Sequence, residues 1–239
     1  MYNASFYPTP VSVAEKMLAK AGKLSGRSIL EPSAGKGDLA DAAVGKLDRY
    51  YNRCREVVHC IEIEPELQAA IRGKGYPLVG TDFLTFWPDE KYDLILMNPP
   101  FASGEAHLLH AWEILDHGDI VCLLNEQTLL TPCTVHRKLL ATIIEEHGEV
   151  EHLGSCFAED ALRKTQVRVS MVHLRKKREE PKFSFDAGSD EEGAAVVDMV
   201  SISRDTLLQR DVVRDDTRHR NPLRIWCDNN EYTSLVHGR

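Results

Sequence analysis

Short, continuous apolar runs alternate along this chain with segments whose apolar residues recur at the spacing of an amphipathic helix. The apolar runs predict buried strands at residues 28–30, 57–63, 77–79, 92–97 and 120–124. The other segments predict helices at residues 11–21, 39–47, 65–72, 106–115 and 135–146. Buried strands that alternate with helices are typical of a parallel sheet covered on both faces. The pattern therefore predicts an α/β fold.

Two later apolar segments, residues 150–157 and 167–174, also predict strands. Only a short polar connection separates them, so they fit an antiparallel hairpin at one edge of the sheet. At the start of the chain, Thr9 and Pro10 fit the N-cap and the first position of the first helix.

The character of the sequence changes after residue 178, where it becomes acidic and loses its periodicity. We therefore expect a folded catalytic domain at residues 1–178. An acidic linker and a small C-terminal extension of unknown role are expected at residues 179–239. With 43% hydrophobic residues among 239, the chain can bury one sizeable core.

Several classes of protein are disfavoured by composition. The six cysteines form no C-x-x-C pair and the ten histidines show no metal-binding spacing, so no metal is expected. Charged residues interrupt the beginning of the sequence, which disfavours a secretory signal. No run approaches the ~20 apolar residues of a membrane-spanning helix. We expect a cytoplasmic protein that does not bind a membrane.

The net charge of −8 is unfavourable for contact with phosphates. Basic side chains nevertheless gather in one block near the end of the predicted domain, at Arg163, Lys164, Arg168, Arg175, Lys176, Lys177 and Arg178. This block fits either a phosphate-binding surface or an ordinary solvated one, and the sequence leaves both open.

A glycine-containing loop at residues 31–38 (EPSAGKGD) follows the first predicted strand and precedes a helix. Gly35 and Gly37 permit a sharp turn and the close approach of a ligand to the backbone. The loop matches neither the phosphate loop G-x-x-x-x-G-K-[ST] nor G-x-G-x-x-G. It fits a nucleotide-like cofactor or a structural turn.

Acidic residues follow the next two predicted strands. Glu62 can accept hydrogen bonds from both hydroxyls of a ribose, and Asp82 can accept from the amino group of an adenine. Because parallel strands end at one edge of a sheet, these two carboxylates and the glycine loop are predicted to share a crevice.

The segment Asn98-Pro99-Pro100-Phe101 follows the fourth predicted strand and faces the same crevice. The Asn98 amide oxygen and the Pro99 carbonyl can together accept both protons of an amino group, which directs the nitrogen lone pair toward a methyl donor. Phe101 offers a flat apolar face for an extruded base. These residues are predicted to be catalytic.

In the order and spacing of these motifs, residues 5–175 resemble the class I S-adenosylmethionine-dependent methyltransferases, and among them the N6-adenine group. The resemblance implies a Rossmann-like sheet of seven strands in the order 3-2-1-4-5-7-6, with strand seven antiparallel. It implies S-adenosylmethionine as the cofactor. The cofactor-binding residues it implies are Tyr7, Pro8, Thr9, Glu31, Pro32, Ser33, Ala34, Gly35, Gly37, Asp38, Glu62, Ile63, Asp82, Phe83 and Asn98.

The same resemblance implies how a target base is held. Phe157 resembles the family's late aromatic residue, so a flipped adenine is expected between Phe101 and Phe157. Arg163, Lys164 and Arg168 are expected to bind substrate phosphates. The expected partner is nucleic acid, with DNA favoured over RNA. The chain lacks room for the large target-recognition domain of sequence-specific members, so a protein partner is one possible source of recognition.

Other chemistries remain open at this stage. Cytosine C5 methylation needs a Pro-Cys pair, but Pro132-Cys133 follows the fifth strand, so we interpret it as incidental. Methylation of RNA adenine, or of a protein glutamine nitrogen, uses the same Asn-Pro-Pro-aromatic motif, because each acceptor is a planar amino group. A module that binds the cofactor without catalysis is a further alternative, which the intact Asn98, Asp82 and Glu62 disfavour.

Overall fold

The computed structural model describes residues 7–47, 54–157 and 167–178. Within them the strands are β1 (Ile29–Glu31), β2 (Val58–Ile61), β3 (Leu78–Gly80), β4 (Leu94–Met97), β5 (Gly118–Asn125), β6 (Gly148–Gly154) and β7 (Val169–Lys176). The helices are α1 (Val11–Ala21), α2 (Asp38–Lys46), α3 (Pro65–Gly73), α4 (Gly104–Ile114), α5 (Glu126–Leu130) and α6 (Val135–His147), with a 3-10 turn at Phe83–Thr85. No helix in the described ranges is long and apolar enough to cross a membrane.

The strands form a single sheet in the order β3-β2-β1-β4-β5-β7-β6. Strands β1 to β5 run parallel, and β7 is antiparallel to both β5 and β6. The predicted α/β class and strand order are therefore confirmed. Strands β1 and β4 are neighbours although they are not consecutive. Ligands of open α/β sheets bind beyond the carboxyl ends of the strands at such a reversal of order.

Apolar layers cover both faces of the sheet. Leu94 and Leu96 of β4 pack into the layer that includes Met17 of α1. Ile95 and Met97 of the same strand pack into the opposite layer, which includes Leu108 of α4. Because β4 is buried on both faces, its sequence is continuously apolar rather than alternating.

Local structure departs from the predictions in three places. Pro10, not Thr9, occupies the N-cap position of α1, and no side chain caps that helix. Helix α5 was not predicted, because five residues are too few to show a helical period. Strand β6 ends at Gly154, so Phe157 lies beyond the strand rather than within it. The expected extension at residues 179–239 lies outside the described residues, and the boundary at 178 stays a prediction.

At the amino end of the sheet, a closed network of charged side chains surrounds Asp119. Arg27 Nη2 lies 2.6 Å from Asp119 Oδ2, while His173 Nε2 and Arg175 Nε lie 3.0 and 2.8 Å from Asp119 Oδ1. Burial alone would raise the pKa of Asp119. The hydrogen bonds from Arg175, His173 and Arg27 outweigh it and hold the pKa below its usual value. This carboxylate therefore joins the ends of β5 and β7 to the segment before β1.

Candidate cofactor and active site

A cavity of about 350 Å³ opens at the carboxyl edge of the sheet, beyond β1, β2, β3 and β4. Its volume lies in the range of small-molecule sites. Predicted cofactor-binding residues form most of its lining: Tyr7, Pro8, Thr9, Glu31, Pro32, Ser33, Ala34, Asp38, Glu62, Ile63, Asp82, Phe83 and Asn98. The structure thus brings together residues from five separate sequence segments.

Glu31, the last residue of β1, reaches the cavity from a buried position and is 3% exposed. Its Oε2 accepts a hydrogen bond from the Ala40 amide at 2.8 Å, one of the amides that the first turn of α2 leaves free. Every buried side-chain oxygen or nitrogen in the described ranges has a hydrogen-bond partner, whereas Glu31 Oε1 accepts no hydrogen bond from the described residues. Oε1 must therefore reach the cavity. Burial raises the pKa of Glu31 well above its ordinary value.

Glu62 lies immediately after β2, and backbone amides fix its carboxylate. Oε2 accepts from Gly35 at 2.6 Å and Oε1 accepts from Glu64 at 2.9 Å. Each oxygen keeps a second lone pair for a ligand hydroxyl. Burial raises the pKa of Glu62, although the two amides oppose that shift. The pair of fixed, outward acceptors suits two neighbouring hydroxyl donors.

Neither glycine of the loop lines the cavity, although both were predicted to bind cofactor. Gly35 acts through its amide, which holds Glu62. Gly37 has φ +82°, and a Cβ there would lie 3.0 Å from Ile71 Cδ1. The loop therefore shapes the site through backbone conformation and close packing against α3.

Asp82 follows β3 and forms the N-cap of the 3-10 turn. Its Oδ1 accepts from the Leu84 amide at 3.0 Å. Oδ2 accepts no hydrogen bond from the described residues and is available to a ligand at this end of the cavity. Phe83 and Leu84 line the cavity beside it, and Ile63 presents an exposed apolar side chain nearby in the lining.

Asn98 projects from the end of β4 with its amide orientation fixed. Its Nδ2 donates to the Tyr7 carbonyl at 2.9 Å and lies 3.0 Å from Thr9 Oγ1. A carbonyl only accepts, so the nitrogen must face Tyr7 and the oxygen must face away. Neither Asn98 Oδ1 nor the Pro99 carbonyl accepts a hydrogen bond from another described residue. The end of β4 therefore presents oriented acceptors, with Asn98 and Pro100 in the cavity lining.

The predicted slot between Phe101 and Phe157 is closed. The Phe101 ring stacks on Tyr7 with centroids 5.5 Å apart, and it meets Phe157 edge to face at 5.8 Å. Phe157 is 0% exposed and belongs to the apolar core. In this conformation no base fits between Phe101 and Phe157, because the two rings are in contact with each other. The structure corrects the expected position of the base accordingly. A base could lie between Phe101 and Phe157 only if these two rings separated, whereas one face of Phe101 is covered by Tyr7.

Of the three residues predicted to bind phosphate, the structure describes only Arg168, and its guanidinium already has an acidic partner. Arg168 donates to the carboxylate of Glu126, which His152 also contacts with Nδ1 3.1 Å from Oε1. The charge of Arg168 is therefore already paired with a carboxylate at the end of β5. Arg163 and Lys164 lie outside the described residues, and their roles stay predictions.

The cavity also contains residues that sequence reasoning did not assign to it: Glu64, Leu67, Thr81, Leu84, Ser103 and His107. Of these, His107 has an imidazole side chain, which can accept or donate a proton, and the sequence predictions did not include it. It is 9% exposed on α4, and its Nδ1 lies 2.9 Å from the carbonyl oxygen of Ser103, four residues earlier. The available signal was a histidine on the buried face of a helix whose next buried positions, Leu108 and Ala111, are apolar.

Comparisons with known proteins place this geometry among methyltransferases. No protein-family model matches the chain. The chain is 24% identical over 137 residues to the Type II methyltransferase M.CvrRI of Paramecium bursaria Chlorella virus XZ-6E. That match spans 57% of this chain but 35% of the relative, so the chain corresponds to about a third of the relative's length.

Solved structures agree in fold. The M protein of the type I restriction enzyme EcoKI has a TM-score of 0.56 at 13% identity, over 70% of this chain and 43% of that one. The 23S rRNA methyltransferase ErmE has a TM-score of 0.51 at 16% identity, over 72% and 70%. A dimethyladenosine transferase from Plasmodium falciparum has a TM-score of 0.50 at 16% identity, over 72% and 63%. The resemblance found in the motifs is confirmed at this level: the chain has the fold of the class I S-adenosylmethionine-dependent methyltransferases.

Proposed function

We propose that this chain transfers a methyl group from S-adenosylmethionine to the N6 amino group of adenine in DNA. The observation that carries the proposal is the fixed orientation of Asn98 at the edge of a cavity lined by acidic strand ends. A purely structural asparagine would not need an unpaired acceptor aimed away from its own anchoring contacts.

The comparisons imply S-adenosylmethionine as the cofactor, and the donor set of the cavity fits it. The Glu62 carboxylate suits the two ribose hydroxyls, and the free oxygen of Glu31 suits the cofactor's ammonium group. Asp82, beside Phe83, offers an acceptor and an apolar wall for a purine. When bound, S-adenosylmethionine supplies an electrophilic methyl group.

The residues at the end of β4 would orient the methyl acceptor. Asn98 Oδ1 and the Pro99 carbonyl accept the two hydrogens of an exocyclic amine. This holds the nitrogen lone pair toward the cavity, and positioning of this kind supplies a large part of catalysis. Transfer is direct, without a covalent enzyme intermediate, and none of the described residues that line the cavity is a cysteine that could act as a nucleophile.

The aromatic cluster would open to admit the base. Tyr7 covers Phe101 by stacking, and Tyr7 itself belongs to the segment that Asn98 anchors. Displacement of the Tyr7 ring would expose the face of Phe101 beside Asn98. The base would then stack where Tyr7 lies in this conformation, while Phe157 stays in the core and supports Phe101 from the edge.

Recognition of the polymer would use basic residues of this chain together with a partner chain. The likeness to a Type II methyltransferase and to the M protein of a type I restriction enzyme favours DNA as the substrate. Arg163 and Lys164 would contribute phosphate contacts, and Arg168 would join them only by exchanging its bond to Glu126 for one to a phosphate. An RNA substrate is the second candidate, since ErmE has the same fold and covers comparable shares of both chains.

The test incubates the full chain with isotope-labelled S-adenosylmethionine and separate pools of DNA, RNA and protein, and digests the products for mass spectrometry. N6-methyladenine in DNA supports the proposal, provided that Asn98→Ala abolishes the label. Label in RNA adenine moves the protein to the second candidate, and label on glutamine moves it to protein methylation. An unlabelled set of pools, in the presence of measurable cofactor binding, contradicts transfer by this chain alone.

A further inference from the structure

Among the residues that the structure describes, His107 is the one histidine in the lining of the cavity, and the proposed reaction does not use it. Helix α4 carries it to the end of the cavity formed by Asp82 and Phe83. Its ring lies 5.8 Å from the Phe83 ring, and Asp82 is close enough to influence its charge. The side chain therefore lies at the end with apolar walls, away from the carboxylate of Glu62 that suits ribose hydroxyls.

The hydrogen bond to Ser103 determines the tautomer of His107. The Ser103 carbonyl only accepts, so Nδ1 must carry the hydrogen, and Nε2 of a neutral ring keeps its lone pair. Nε2 has no hydrogen-bond partner among the described residues. Every buried side-chain nitrogen or oxygen among them has a partner, so Nε2 is not a buried atom. Nε2 must therefore be accessible, and for a side chain that lines the cavity this access is through the cavity.

The ring is neutral at physiological pH. Burial lowers the pKa of His107 below its ordinary value of 6.5, and the nearby His110 acts in the same direction. The hydrogen bond to Ser103 and the charge of Asp82 oppose this shift without reversing it. This end of the cavity therefore presents two acceptors, the free oxygen of Asp82 and Nε2 of His107, and both call for a hydrogen-bond donor.

We propose that His107 Nε2 accepts a hydrogen bond from the 6-amino group of the cofactor's purine and makes the site selective for adenine over a 6-oxo purine. The inference rests on the proposed function, because it assumes that the cavity holds S-adenosylmethionine. An adenine amino group has two hydrogens and satisfies both acceptors. A 6-oxo group places its own lone pairs against them. Since Ser103 fixes the hydrogen on Nδ1, the ring cannot switch its tautomer to compensate.

The test measures binding of S-adenosylhomocysteine and of S-inosylhomocysteine, its 6-oxo analogue, by isothermal titration calorimetry. The wild-type chain is expected to favour the adenine compound by about 10- to 100-fold. In His107→Leu the preference is expected to fall by about tenfold, mainly through weaker binding of S-adenosylhomocysteine. His110→Leu is the matched control: its Nε2 bonds the Phe86 carbonyl, and it does not line the cavity, so it should keep the wild-type preference.

A second measurement needs no substitution of His107. Protonation of His107 turns Nε2 from an acceptor into a donor, so the wild-type preference for adenine should shrink as the pH falls below 6.5 and through the lowered pKa of this ring. Taking the ratio of the two affinities cancels the acid titration of Glu62 and Glu31, which both ligands share. Asp82 faces the same amino group, so the measurement is repeated in Asp82→Asn, whose side chain does not titrate, and the acid-dependent loss of preference should persist there. A preference that is unchanged both in His107→Leu and in acid would overturn the inference and leave the proposed function intact. A wild-type chain that binds neither compound would overturn both.

Discussion

The two ends of the same sheet contain buried carboxylates with opposite pKa shifts. At the carboxyl edge, Glu31 is 3% exposed, has one backbone amide as its partner, and has a raised pKa. At the amino edge, Asp119 is 7% exposed, is surrounded by Arg27, His173 and Arg175, and has a lowered pKa. Desolvation raises the pKa of both carboxylates, and at Asp119 the hydrogen bonds from cationic partners reverse that shift.

The amino edge of the sheet therefore stabilises the fold, whereas the carboxyl edge has the features of a binding site. A buried charge without a cation costs stability, because desolvation is not offset. The carboxyl edge keeps Glu31 and Glu62 in that condition, and a bound cofactor would supply the missing donors. The amino edge has already formed its ion pairs, so it contributes stability and has nothing left to bind.

The largest expected effect comes from Asn98→Ala. Loss of the oriented acceptor should lower kcat by about 10²- to 10³-fold, since one positioned polar group in an active site contributes that much. Cofactor affinity should stay within a few-fold, because the variant keeps the carboxylates of Glu31, Glu62 and Asp82 in the cavity lining. Single-turnover methylation and equilibrium binding of S-adenosylhomocysteine measure the two effects separately.

The matched control for that substitution is Asn125→Ala. Asn125 ends the neighbouring strand β5 and caps α5 through Gln127, but it does not line the cavity. Its loss should reduce stability slightly and leave methylation nearly unchanged. Equal losses of activity in the two variants would contradict a special role for Asn98.

Asp119→Asn should cause the next largest effect, this time on stability. Removing the charge leaves the largely buried guanidinium of Arg27 without the anion that it pairs with, so the free energy of unfolding should fall by about 3 kcal/mol at neutral pH. Because the folded pKa of Asp119 is lowered, its stabilisation is present above the ordinary value of 3.8 and is lost as the pH falls through the folded pKa. Urea unfolding at several pH values measures this, and cofactor affinity should not change.

Asp116→Asn serves as the control for the amino edge. Asp116 pairs with Lys91 at 2.8 Å, but both side chains are largely exposed, so the unfolding midpoint should hardly move. If Asp116→Asn destabilised the chain as much as Asp119→Asn, the closed network would not be the source of the stability.

Glu31→Gln should have a smaller effect of the opposite sign on stability. The amide still accepts from Ala40, and the cost of burying a charge disappears, so the urea midpoint should rise. The folded pKa of Glu31 is raised, so in the wild type this cost grows as the pH rises above the ordinary value of 4.5. The gain in the variant should therefore vanish in acid.

The same substitution should weaken S-adenosylhomocysteine binding about tenfold, through loss of a hydrogen bond to a charged group. A variant that is both more stable and weaker in binding is the signature of a site built at the expense of stability. A destabilised Glu31→Gln, with binding unchanged, would remove the distinction between the two edges.

The position of a site residue could be predicted from the sequence where the local hydrophobic pattern and the sheet topology lead to the same place. Strand β4 is apolar throughout because it is buried on both faces, and the polar residue that follows such a strand must lie at the carboxyl edge. That reasoning predicts that Glu62, Asp82 and Asn98 share one crevice, since parallel strands bring their ends together, and all three line the cavity.

The sequence was insufficient where the outcome depends on packing between distant segments. Thr9 matched an N-cap by type, but Asn98, far along the chain, takes its hydroxyl. Phe157 was expected to face a substrate, yet it is buried beside Phe101 because β6 ends early. His107 carried no motif at all, and only the packing of α4 against the 3-10 turn placed it in the cavity.

The central claim, that the carboxyl edge is a preformed S-adenosylmethionine site, is tested most directly by calorimetric titration of S-adenosylhomocysteine into the wild-type chain and Glu62→Gln. The account predicts saturable one-to-one binding by the wild type and binding about tenfold or more weaker by the variant, because the fixed carboxylate loses the charge that attracts two hydroxyl donors. Absence of binding by the folded wild-type chain, or equal affinities in the two proteins, would contradict it.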